Sequence, residues 1–362
     1  MAVRYGDADM SETAATSDAP AAPGVSVVMP VLNMEDHLAE AVASVLAQDY
    51  PGELEVVIAV APSRDKTADL AQRIAAADSR IVVVPNPRGS IPAGLNAAVK
   101  AARHPIVARA DGRSRLPRGY LRTAVAEMSR TGADDVGGIM AAEGLTPFQR
   151  AVAWAMTSSF GVGAARFHTG GEAGPADSVY LGVYRRAAIE RVGGYDETYL
   201  RAEDWELNHR IRLAGGLIWF LPGLRVSYRP RESLRALAAQ YFQYGRWRRV
   251  VARQHEGTIN LRYLAPPTAV AAMGAGVLAG LAGAAGIAAG GSAAWLVPLI
   301  AGFAVPACYG TGVLGVAALA ARSLPGPVAA RLPLVLATMH VSWGIGFLTS
   351  SRRLAPGAPR IR

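Results

Sequence analysis

The feature that most constrains this chain is the absence of charge from two long stretches. Residues 264–321 contain no Asp, Glu, Lys or Arg, and neither do residues 332–351. A transmembrane helix needs about 20 mostly apolar residues, so the first stretch has room for two, divided near Gly290, and the second for one. A buried helix in a soluble protein is the alternative, but 58 consecutive uncharged residues disfavour it. The sequence therefore predicts an integral membrane protein with two or three transmembrane helices within residues 263–351.

Small residues are frequent in the first apolar stretch. Gly276 and Gly280 are four residues apart, a spacing that suits close packing of helices in lipid. We therefore expect these glycines to lie at a helix–helix contact.

Charge is unevenly distributed along the chain. The formal net charge is +9, yet no Asp or Glu follows Glu256. Six Arg lie beyond residue 321, at positions 322, 331, 352, 353, 360 and 362. Such an excess at the end of the chain differs from the spread of basic residues along a nucleic-acid groove, so no nucleic-acid partner is predicted. Residues 352–362 are expected to form a basic tail.

The first 24 residues and the single cysteine also limit the possibilities. Residues 1–24 are rich in Ala, Ser, Thr, Asp and Pro without an apolar run, a composition typical of a disordered tail and not of a signal peptide. Cys308 lies in an apolar segment, so disulfides within the chain and cysteine-based zinc sites are excluded. Among the six scattered histidines, His255 is expected to be exposed, with a metal ligand as the alternative.

Short apolar runs alternate with helical patterns between residues 25 and 111. The runs, rich in β-branched residues, predict strands at residues 25–31, 54–61, 80–85 and 105–111, and the segments between them predict helices at about residues 34–48, 66–77 and 91–102. This alternation predicts a mostly parallel sheet with helices on both faces. Ligands of such sheets bind beyond the carboxyl ends of the strands. The segments expected along that edge are residues 30–33, 61–65 and 86–90 together with Asp111.

No Gly-x-Gly-x-x-Gly or P-loop sequence follows any predicted strand, which disfavours dinucleotide and P-loop chemistry. Asp111 follows the fourth strand, where a carboxylate can hold a divalent cation that bridges substrate phosphates. The alternative is a turn-forming Asp within the sequence "ADGRS".

A second group of acids occurs in "YDETYLRAEDWELNHRIRLAGG", residues 195–216. Asp196, Glu197, Glu203 and Asp204 precede or begin a predicted helix. Its apolar side is marked by Leu207, Ile211 and Ala214, and its end by Gly215-Gly216. A capped, solvated helix start is the alternative, because acids are favoured at the positive end of a helix dipole.

Several segments in this order resemble a known family. They are "VVMPVLNMEDHLAEAVASVLAQ", "SRDKT", "GLNAAVKAA", "VARADGRSRLPRGYL", "GGYDE" and "EDWELNHRIR". Over residues 25–260 the chain is similar to family 2 of the inverting glycosyltransferases, enzymes with a GT-A fold that use nucleotide-diphosphate sugars. It most resembles the membrane-anchored members of bacterial exopolysaccharide assembly of the succinoglycan-biosynthesis type. The resemblance implies a GT-A domain at residues 25–230.

The resemblance also implies a donor site. Pro30 and Asn33, with Glu35, would border the nucleotide, and Asp65 lies in the segment that matches the family's Ser-Thr-Asp-Gly-Thr turn. The remaining implied donor residues are Asn96, Asp111 and Arg113. Asp111 would be the first acid of the metal-binding Asp-x-Asp, and the implied cofactor is Mg²⁺ or Mn²⁺.

For the acceptor side, the resemblance implies that Glu203 and Asp204 are the Glu-Asp pair, with Asp204 as the general base. The sequence "QYGRW" matches the Gln-x-x-Arg-Trp pattern of processive members. Gln243, Arg246 and Trp247 would therefore contact the acceptor or a phosphate.

Two positions depart from the family pattern. The Asp pair that usually meets the nucleobase is Val60-Ala61, and the second acid of Asp-x-Asp is Arg113. If metal binding is weak, Arg113 could replace part of the positive charge on the departing diphosphate.

Residues 231–262 predict an amphipathic juxtamembrane region. Its apolar face contains Leu234, Leu237, Ala238 and Tyr241, which is typical of an interfacial helix. Its arginines include Arg246, for which contact with anionic lipid headgroups is the alternative to phosphate binding.

The function expected from these features is inverting sugar transfer to a lipid-linked or polysaccharide acceptor at the cytoplasmic face of the plasma membrane. Two alternatives remain open. One is transfer directly onto a polyprenyl phosphate. The other is a catalytically inactive membrane scaffold, which the departures at Val60-Ala61 and Arg113 would allow.

The last apolar stretch leaves the topology open. A third full span would place the arginines after residue 351 outside, against the positive-inside tendency. A re-entrant segment would avoid that conflict, but residues 332–351 are long enough to span, and length favours three spans.

Overall fold

The computed structural model describes residues 22–354. The predicted disordered tail falls mostly on residues 1–21 and the predicted basic tail mostly on residues 355–362, and these lie outside the described residues. The strands of the first half are β1 (Val25–Val31), β2 (Leu54–Val60), β3 (Ile81–Pro85) and β4 (Ile106–Arg109), and the helices are α1 (Leu38–Leu46), α2 (Thr67–Ala77) and α3 (Ile91–Ala101). These elements confirm the predicted alternation, and no bound is shifted by more than four residues.

A mixed second half completes the sheet. Its strands are β5 (Asp135–Ala142), β6 (Gly174–Pro175), β7 (Tyr180–Arg185) and β8 (Ile218–Tyr228). Its helices are α4 (Tyr120–Thr131), α5 (Pro147–Thr157), α6 (Ser159–Val162), α7 (Arg166–Thr169), α8 (Arg186–Arg191) and α9 (Glu203–Leu213). The strand order is β3-β2-β1-β4-β7-β5-β8-β6, and β7 is antiparallel to both of its neighbours. The predicted α/β fold, a mostly parallel sheet with a buried cluster on each face, is confirmed.

Up to residue 354, five α-helices follow the sheet domain. They are α10 (Leu234–Gln254), α11 (Leu261–Ala288), α12 (Leu296–Ala320), α13 (Gly326–Ala329) and α14 (Leu332–Leu348), with 3-10 turns at Ala293–Trp295 and Arg352–Leu354. Within residues 22–354, three helical segments are long and apolar enough to cross a membrane: Leu261–Ala288, Ala293–Ala320 and Gly326–Leu348.

Helices α11 and α12 form a closely packed antiparallel hairpin. A Cβ added at Gly276 would lie 2.6 Å from the carbonyl oxygen of Gly302, and one at Gly283 would lie 2.4 Å from the backbone nitrogen of Leu299. Gly302 in turn lies against the backbone of Gly280. The two glycines predicted from their spacing therefore do lie at a helix–helix contact.

Helix α14 packs along α10 and against α5. Leu237 and Tyr241 of α10 are buried in one cluster with Met156 of α5, Ala317 of α12 and Met339 of α14. The apolar face of α10 had been predicted to be interfacial. The structure instead packs most of it against protein, because α5 and α14 cover the face that the sequence left without a partner.

Candidate active site

The loops after β1 and β2 are held together by reciprocal hydrogen bonds. The backbone N–H of Arg64 donates to Asn33 Oδ1 at 2.8 Å, and that of Lys66 donates to Glu35 Oε2 at 2.8 Å. In the other direction, the N–H of Glu35 donates to Asp65 Oδ2 at 3.1 Å. Three predicted donor residues, Asn33, Glu35 and Asp65, are thus brought together at the strand ends.

Two further details fix the shape of this edge. A hydrogen bond from Thr67 lowers the pKa of Asp65, so this carboxylate stays charged at neutral pH. Asn33 has a φ of 52°, a left-handed conformation that Asn tolerates better than most residues. Pro30, also predicted at the donor site, lies in β1 and packs towards Gly94 of α3.

Asn96 holds the segment that leads to the second acid group. Its Oδ1 accepts from the Tyr195 N–H at 2.8 Å, and its Nδ2 donates to the Tyr195 carbonyl oxygen at 2.8 Å. Nδ2 also donates to Glu197 at 3.1 Å, and Arg88 forms an ion pair with the same carboxylate. In this structure Asn96 positions residues 195–197, and its predicted contact with a donor stays a prediction.

Arg109 joins the two predicted acid groups. Its Nε lies 3.0 Å from Asp111 Oδ1, and its Nη2 lies 3.0 Å from Glu203 Oε1. Burial alone would lower the pKa of the Arg109 guanidinium, but the charges of Asp111, Glu203 and Asp204 outweigh it and hold that pKa well above its ordinary value. One buried cation therefore connects the end of β4 with the start of α9.

The neighbouring acids Glu203 and Asp204 have different surroundings. Glu203 is 5% exposed, and burial raises its pKa although Arg109 opposes the shift. Asp204 is partly exposed. Its Oδ1 accepts from the Trp205 N–H at 2.7 Å, and within residues 22–354 its Oδ2 makes no hydrogen bond. Asp204 is therefore the more accessible proton acceptor of the pair.

The start of α9 is fixed from both sides. Ala202, directly before the helix, has a φ of 62°, a conformation that costs a non-glycine residue free energy and that clusters at functional sites. Further along the helix, Asn208 donates to the buried Asp135 of β5 at 3.0 Å, and Arg210 donates to the carbonyl oxygen of Gly194 at 2.8 Å. These bonds tie α9 to the sheet and to the preceding turn.

Helix α10 packs on the other side of this segment. Trp247 is 3% exposed and lies in a cluster with Tyr199, with ring centroids 6.1 Å apart. The guanidinium of Arg248 lies 4.4 Å from the ring centroid of Trp205. The predicted contact of Trp247 with acceptor or phosphate does not agree with this burial, because its ring supports the loop before Glu203 instead.

The other residues of the predicted acceptor motif, Gln243 and Arg246, are partly exposed. The guanidinium of Arg246 lies 5.4 Å from the ring centroid of Phe242. Sequence reasoning expected an exposed His255, but this side chain is buried and lies 3.4 Å from Glu206. The ring of His255 fills the contact between α9 and α10.

The residues around Asp111 bear on the predicted metal. No group of three or more His, Cys, Asp or Glu side chains that could hold a metal ion occurs within residues 22–354. The Asp111 side chain is 39% exposed, and Arg113 is exposed without an ion pair or hydrogen bond to the described part of the chain. Val60-Ala61 stands where the family pattern has an Asp pair. There the backbone N–H of Ala61 donates to the carbonyl oxygen of Val31.

Comparison with known proteins identifies the family of this fold and site. The sequence profile described as "Glycosyl transferase family 2" matches residues 26–193. The chain is also 33% identical over 323 residues to the succinoglycan biosynthesis protein ExoA of Rhizobium meliloti, covering 89% of this chain and 93% of that protein. The chain belongs to glycosyltransferase family 2.

Two other similarities are narrower. A glycosyltransferase of Bacillus subtilis, EpsJ, is 26% identical over 115 residues, which cover 32% of this chain and 33% of that protein. A solved structure of the mannosyltransferase PcManGT from Pyrobaculum calidifontis, in complex with GDP-Man and Mn²⁺, has a TM-score of 0.55 at 18% identity, covering 91% of this chain and 87% of that one. The latter similarity supports the GT-A fold of this glycosyltransferase.

Arg109 is the main site residue that sequence reasoning missed. It lies in "PIVARAD", which reads as an apolar strand. A single arginine inside such an apolar run could have indicated a site residue, because a buried cation needs anionic partners. Those partners, Asp111 and Glu203, were already predicted as site residues.

Proposed function

We propose that this glycosyltransferase inverts the anomeric centre as it transfers a sugar from a nucleotide-diphosphate sugar to a lipid-linked or polysaccharide acceptor in exopolysaccharide assembly. The observation that carries the proposal is the Arg109 bridge between Asp111 and Glu203. It brings an acid at the carboxyl end of a strand, where ligands of α/β sheets bind, beside a second acid pair suited to an acceptor. The name of the 33%-identical relative supports the exopolysaccharide setting.

The proposed chemistry assigns the proton to Asp204. The acceptor hydroxyl oxygen forms a bond to the anomeric carbon while the bond to the nucleotide diphosphate breaks on the opposite face, and the hydroxyl proton moves to Asp204. A general base must be accessible and ionised to accept it. Asp204 is partly exposed at the first turn of α9, where the helix dipole favours a negative charge. Glu203 is paired with Arg109 and is less suited to that role.

The departing diphosphate needs positive charge. Arg109 engages Asp111 Oδ1, which leaves Oδ2 for a cation. Magnesium is commonly bound by one or two carboxylates together with substrate phosphates, so a single Asp fits such an ion once the donor is present. The ion, when bound, would supply positive charge to the diphosphate. Arg113 is exposed beside Asp111 and is the residue of this chain that could add to that charge.

The nucleotide is proposed to lie over the joined loops after β1 and β2. Asn33, Glu35 and Asp65 give that edge a fixed shape through their hydrogen bonds. Because β2 ends in Val60-Ala61, the nucleobase would be recognised without the acidic pair usual in the family. Backbone groups of residues 61–65 are the alternative contacts.

We propose that the sheet domain faces the cytoplasm, where nucleotide sugars are made available. The contacts of α14 support a two-span arrangement. The first half of α14 packs on the end of α12, and Gly344 near its other end packs on Pro266 at the start of α11. Both contacts lie at the base of the α11–α12 hairpin, the end nearest the sheet domain.

The positions of the basic residues give a second reason to prefer two spans. With α14 lying across the hairpin base, Arg322, Arg331 and Arg352 share one side with the sheet domain. This satisfies the positive-inside tendency that a third span would violate.

The experiment that tests this proposal is a donor screen on the purified full-length protein in detergent. Nucleotide-diphosphate sugars would be offered with Mg²⁺ or Mn²⁺, with membrane lipid extract as the acceptor source, and nucleoside diphosphate release would be measured. We expect release with one class of donor and label in a lipid-linked glycan. Label found only on a polyprenyl phosphate would favour direct transfer to that lipid, and no donor binding by calorimetry would favour the inactive scaffold.

A further inference from the structure

A pocket of about 580 Å³ lies where α10, α11 and the end of α14 meet. Arg249, Arg253 and Arg352 line one side of it. The apolar side includes Leu264 and Phe347. No carboxylate is among the lining residues, so the pocket combines uncompensated positive charge with an apolar wall.

The three arginines are close enough to repel one another. Burial and then the charges of Arg249 and Arg352 lower the pKa of Arg253. Arg249 donates to the carbonyl oxygen of Phe347 at 2.9 Å, and Arg253 donates to that of Ser351 at 3.2 Å. Negative charge at a helix C-terminus offsets part of the repulsion. A guanidinium has five N–H donors, so both side chains keep donors for an anion.

The length of α11 favours a position of this pocket at the depth of the lipid headgroups. The 28 residues of α11 extend about 42 Å, and the hydrocarbon core is about 30 Å thick. The excess of about 12 Å corresponds to about two turns. Leu264 and Pro267 are in those first turns, whereas Ala271 is one turn deeper. The apolar wall therefore leads from the headgroup layer towards the lipid chains.

Helix α10 connects this pocket with the acid pair. Arg249 and Arg253 project to the pocket, while Trp247 and Arg248 pack on the segment that carries Glu203 and Asp204. A helix is about 10–12 Å across with its side chains. A phosphate in the pocket would therefore lie about one helix diameter from α9, a distance that a headgroup extending from the lipid can cross.

We propose that this pocket binds the phosphate of a lipid-linked acceptor, with the first part of the lipid chain along Leu264 to Ala271. The inference rests on the proposed function, because it assigns a place to the acceptor of that reaction. The positive charge of the three arginines is complementary to a phosphate. Because the apolar wall continues into the bilayer, a phosphate carried by a lipid fits the pocket better than a free phosphate.

The test is photo-crosslinking of the full-length protein in phosphatidylcholine nanodiscs. The probe is a polyprenyl phosphate with a photoreactive group on the isoprene unit nearest the phosphate, and labelled peptides are mapped by mass spectrometry. We expect labelling in residues 264–271 and at Phe347–Leu348. Arg352→Gln should raise the probe concentration needed for half-maximal labelling by about tenfold, as expected for a lost hydrogen bond to a charged group.

Two matched controls keep the result interpretable. Arg353→Gln removes an exposed charge from the neighbouring residue, which does not line the pocket, and should label like the unmodified protein. Ala271→Phe fills the apolar wall and should reduce labelling, whereas Ala272→Phe, outside the lining, should not. Equal labelling of Arg352→Gln and Arg353→Gln overturns the pocket assignment.

Competition separates the possible sources of phosphate. Excess unlabelled polyprenyl phosphate should abolish the labelling, while equal amounts of phosphatidylglycerol or inorganic diphosphate should not. Full competition by phosphatidylglycerol would mean that the pocket holds bulk anionic lipid and would overturn the proposal. Labelling is measured without a nucleotide sugar, and sugar transfer is measured separately in the donor screen. Labelling without any transfer in that screen would count against the proposed function alone, and transfer without labelling would count against the pocket alone.

Discussion

At the scale of single residues, the account depends on Arg109. Its side chain is 7% exposed, and it contacts a donor-side acid and an acceptor-side acid at 3.0 Å each. Removing one partner of a buried ion pair leaves an uncompensated charge. Arg109 is therefore expected to be a positioning residue, which fixes both carboxylates without taking part in bond formation.

Replacing Arg109 with Lys tests this role. Lysine keeps the charge but cannot present the planar fork that reaches both acids. We expect kcat to fall by about 10–100-fold, as for the loss of a charged hydrogen bond, while the donor still binds. Arg103→Lys is the matched control, because Arg103 pairs with the buried Glu55 away from this site. It should lower the unfolding temperature without lowering kcat, and an equal loss of kcat in both variants would contradict the account.

The metal can be tested at Asp111. If its free oxygen holds a cation that bridges the diphosphate, Asp111→Asn should weaken donor binding only when Mg²⁺ or Mn²⁺ is present. Calorimetric titrations of donor with and without EDTA measure this dependence. Equal donor affinity of the unmodified protein in both conditions would remove Asp111 from metal binding, and Arg113 would become the leading phosphate contact.

Some site residues could be predicted from the sequence, and others could not. Asp111, Glu203 and Asp204 could be predicted because carboxylates at strand and helix ends have recognisable positions. The role of Arg109 could not, since its partner Glu203 lies 94 residues further along the chain and only the fold brings the two side chains together. Trp247 matched a motif, but its burial against Tyr199 depends on how α10 docks.

At the scale of elements, close packing of α10 on α14 organises the membrane-proximal half. A Cβ added at Gly245 would lie 2.0 Å from the carbonyl oxygen of Trp343, and one at Gly346 would lie 2.1 Å from that of Phe242. Such distances are far below van der Waals contact, so the two helices can lie this close only because both positions are glycine. The contact in turn places Arg249 and Arg253 at the end of α14.

Gly245→Ala should therefore separate the two helices. We expect a loss of about 1–3 kcal/mol in the free energy of unfolding, the usual cost of overpacking, and a lower unfolding temperature in detergent. Gly274→Ala in α11 is the control, because nothing lies within 4 Å of an added Cβ there. That change should be neutral or stabilising through helix propensity, and a stable Gly245→Ala variant would contradict the packing.

Periodicity and composition predicted the elements of the first half to within a few residues. Strands β1, β2 and β4 are buried on both faces and read as largely apolar runs. The apolar face of α10 was also visible, but its partner was not. A pattern specifies that Leu237 and Tyr241 must be covered, and it does not distinguish a lipid surface from α5 and α14.

At the scale of the whole molecule, the account predicts that the α11–α12 hairpin spans the membrane and that α14 lies across the base of this hairpin, next to the sheet domain. Labelling of introduced cysteines tests this topology in a Cys308→Ser background. Ser292→Cys, in the turn between α11 and α12, should react with an impermeant reagent in intact cells. Arg353→Cys should react only after the membrane is permeabilised. Labelling of Arg353→Cys in intact cells would instead support three spans.

The most direct test of inverting transfer with Asp204 as the base is the anomeric configuration and rate of product formation, followed by NMR. The unmodified protein should convert an α-linked donor into a β-linked product. Asp204→Asn should bind the donor with nearly unchanged affinity and form the same product about 10²–10⁴ times more slowly, the usual contribution of a general base. A product of retained configuration, or an Asp204→Asn variant with full turnover, would contradict the account.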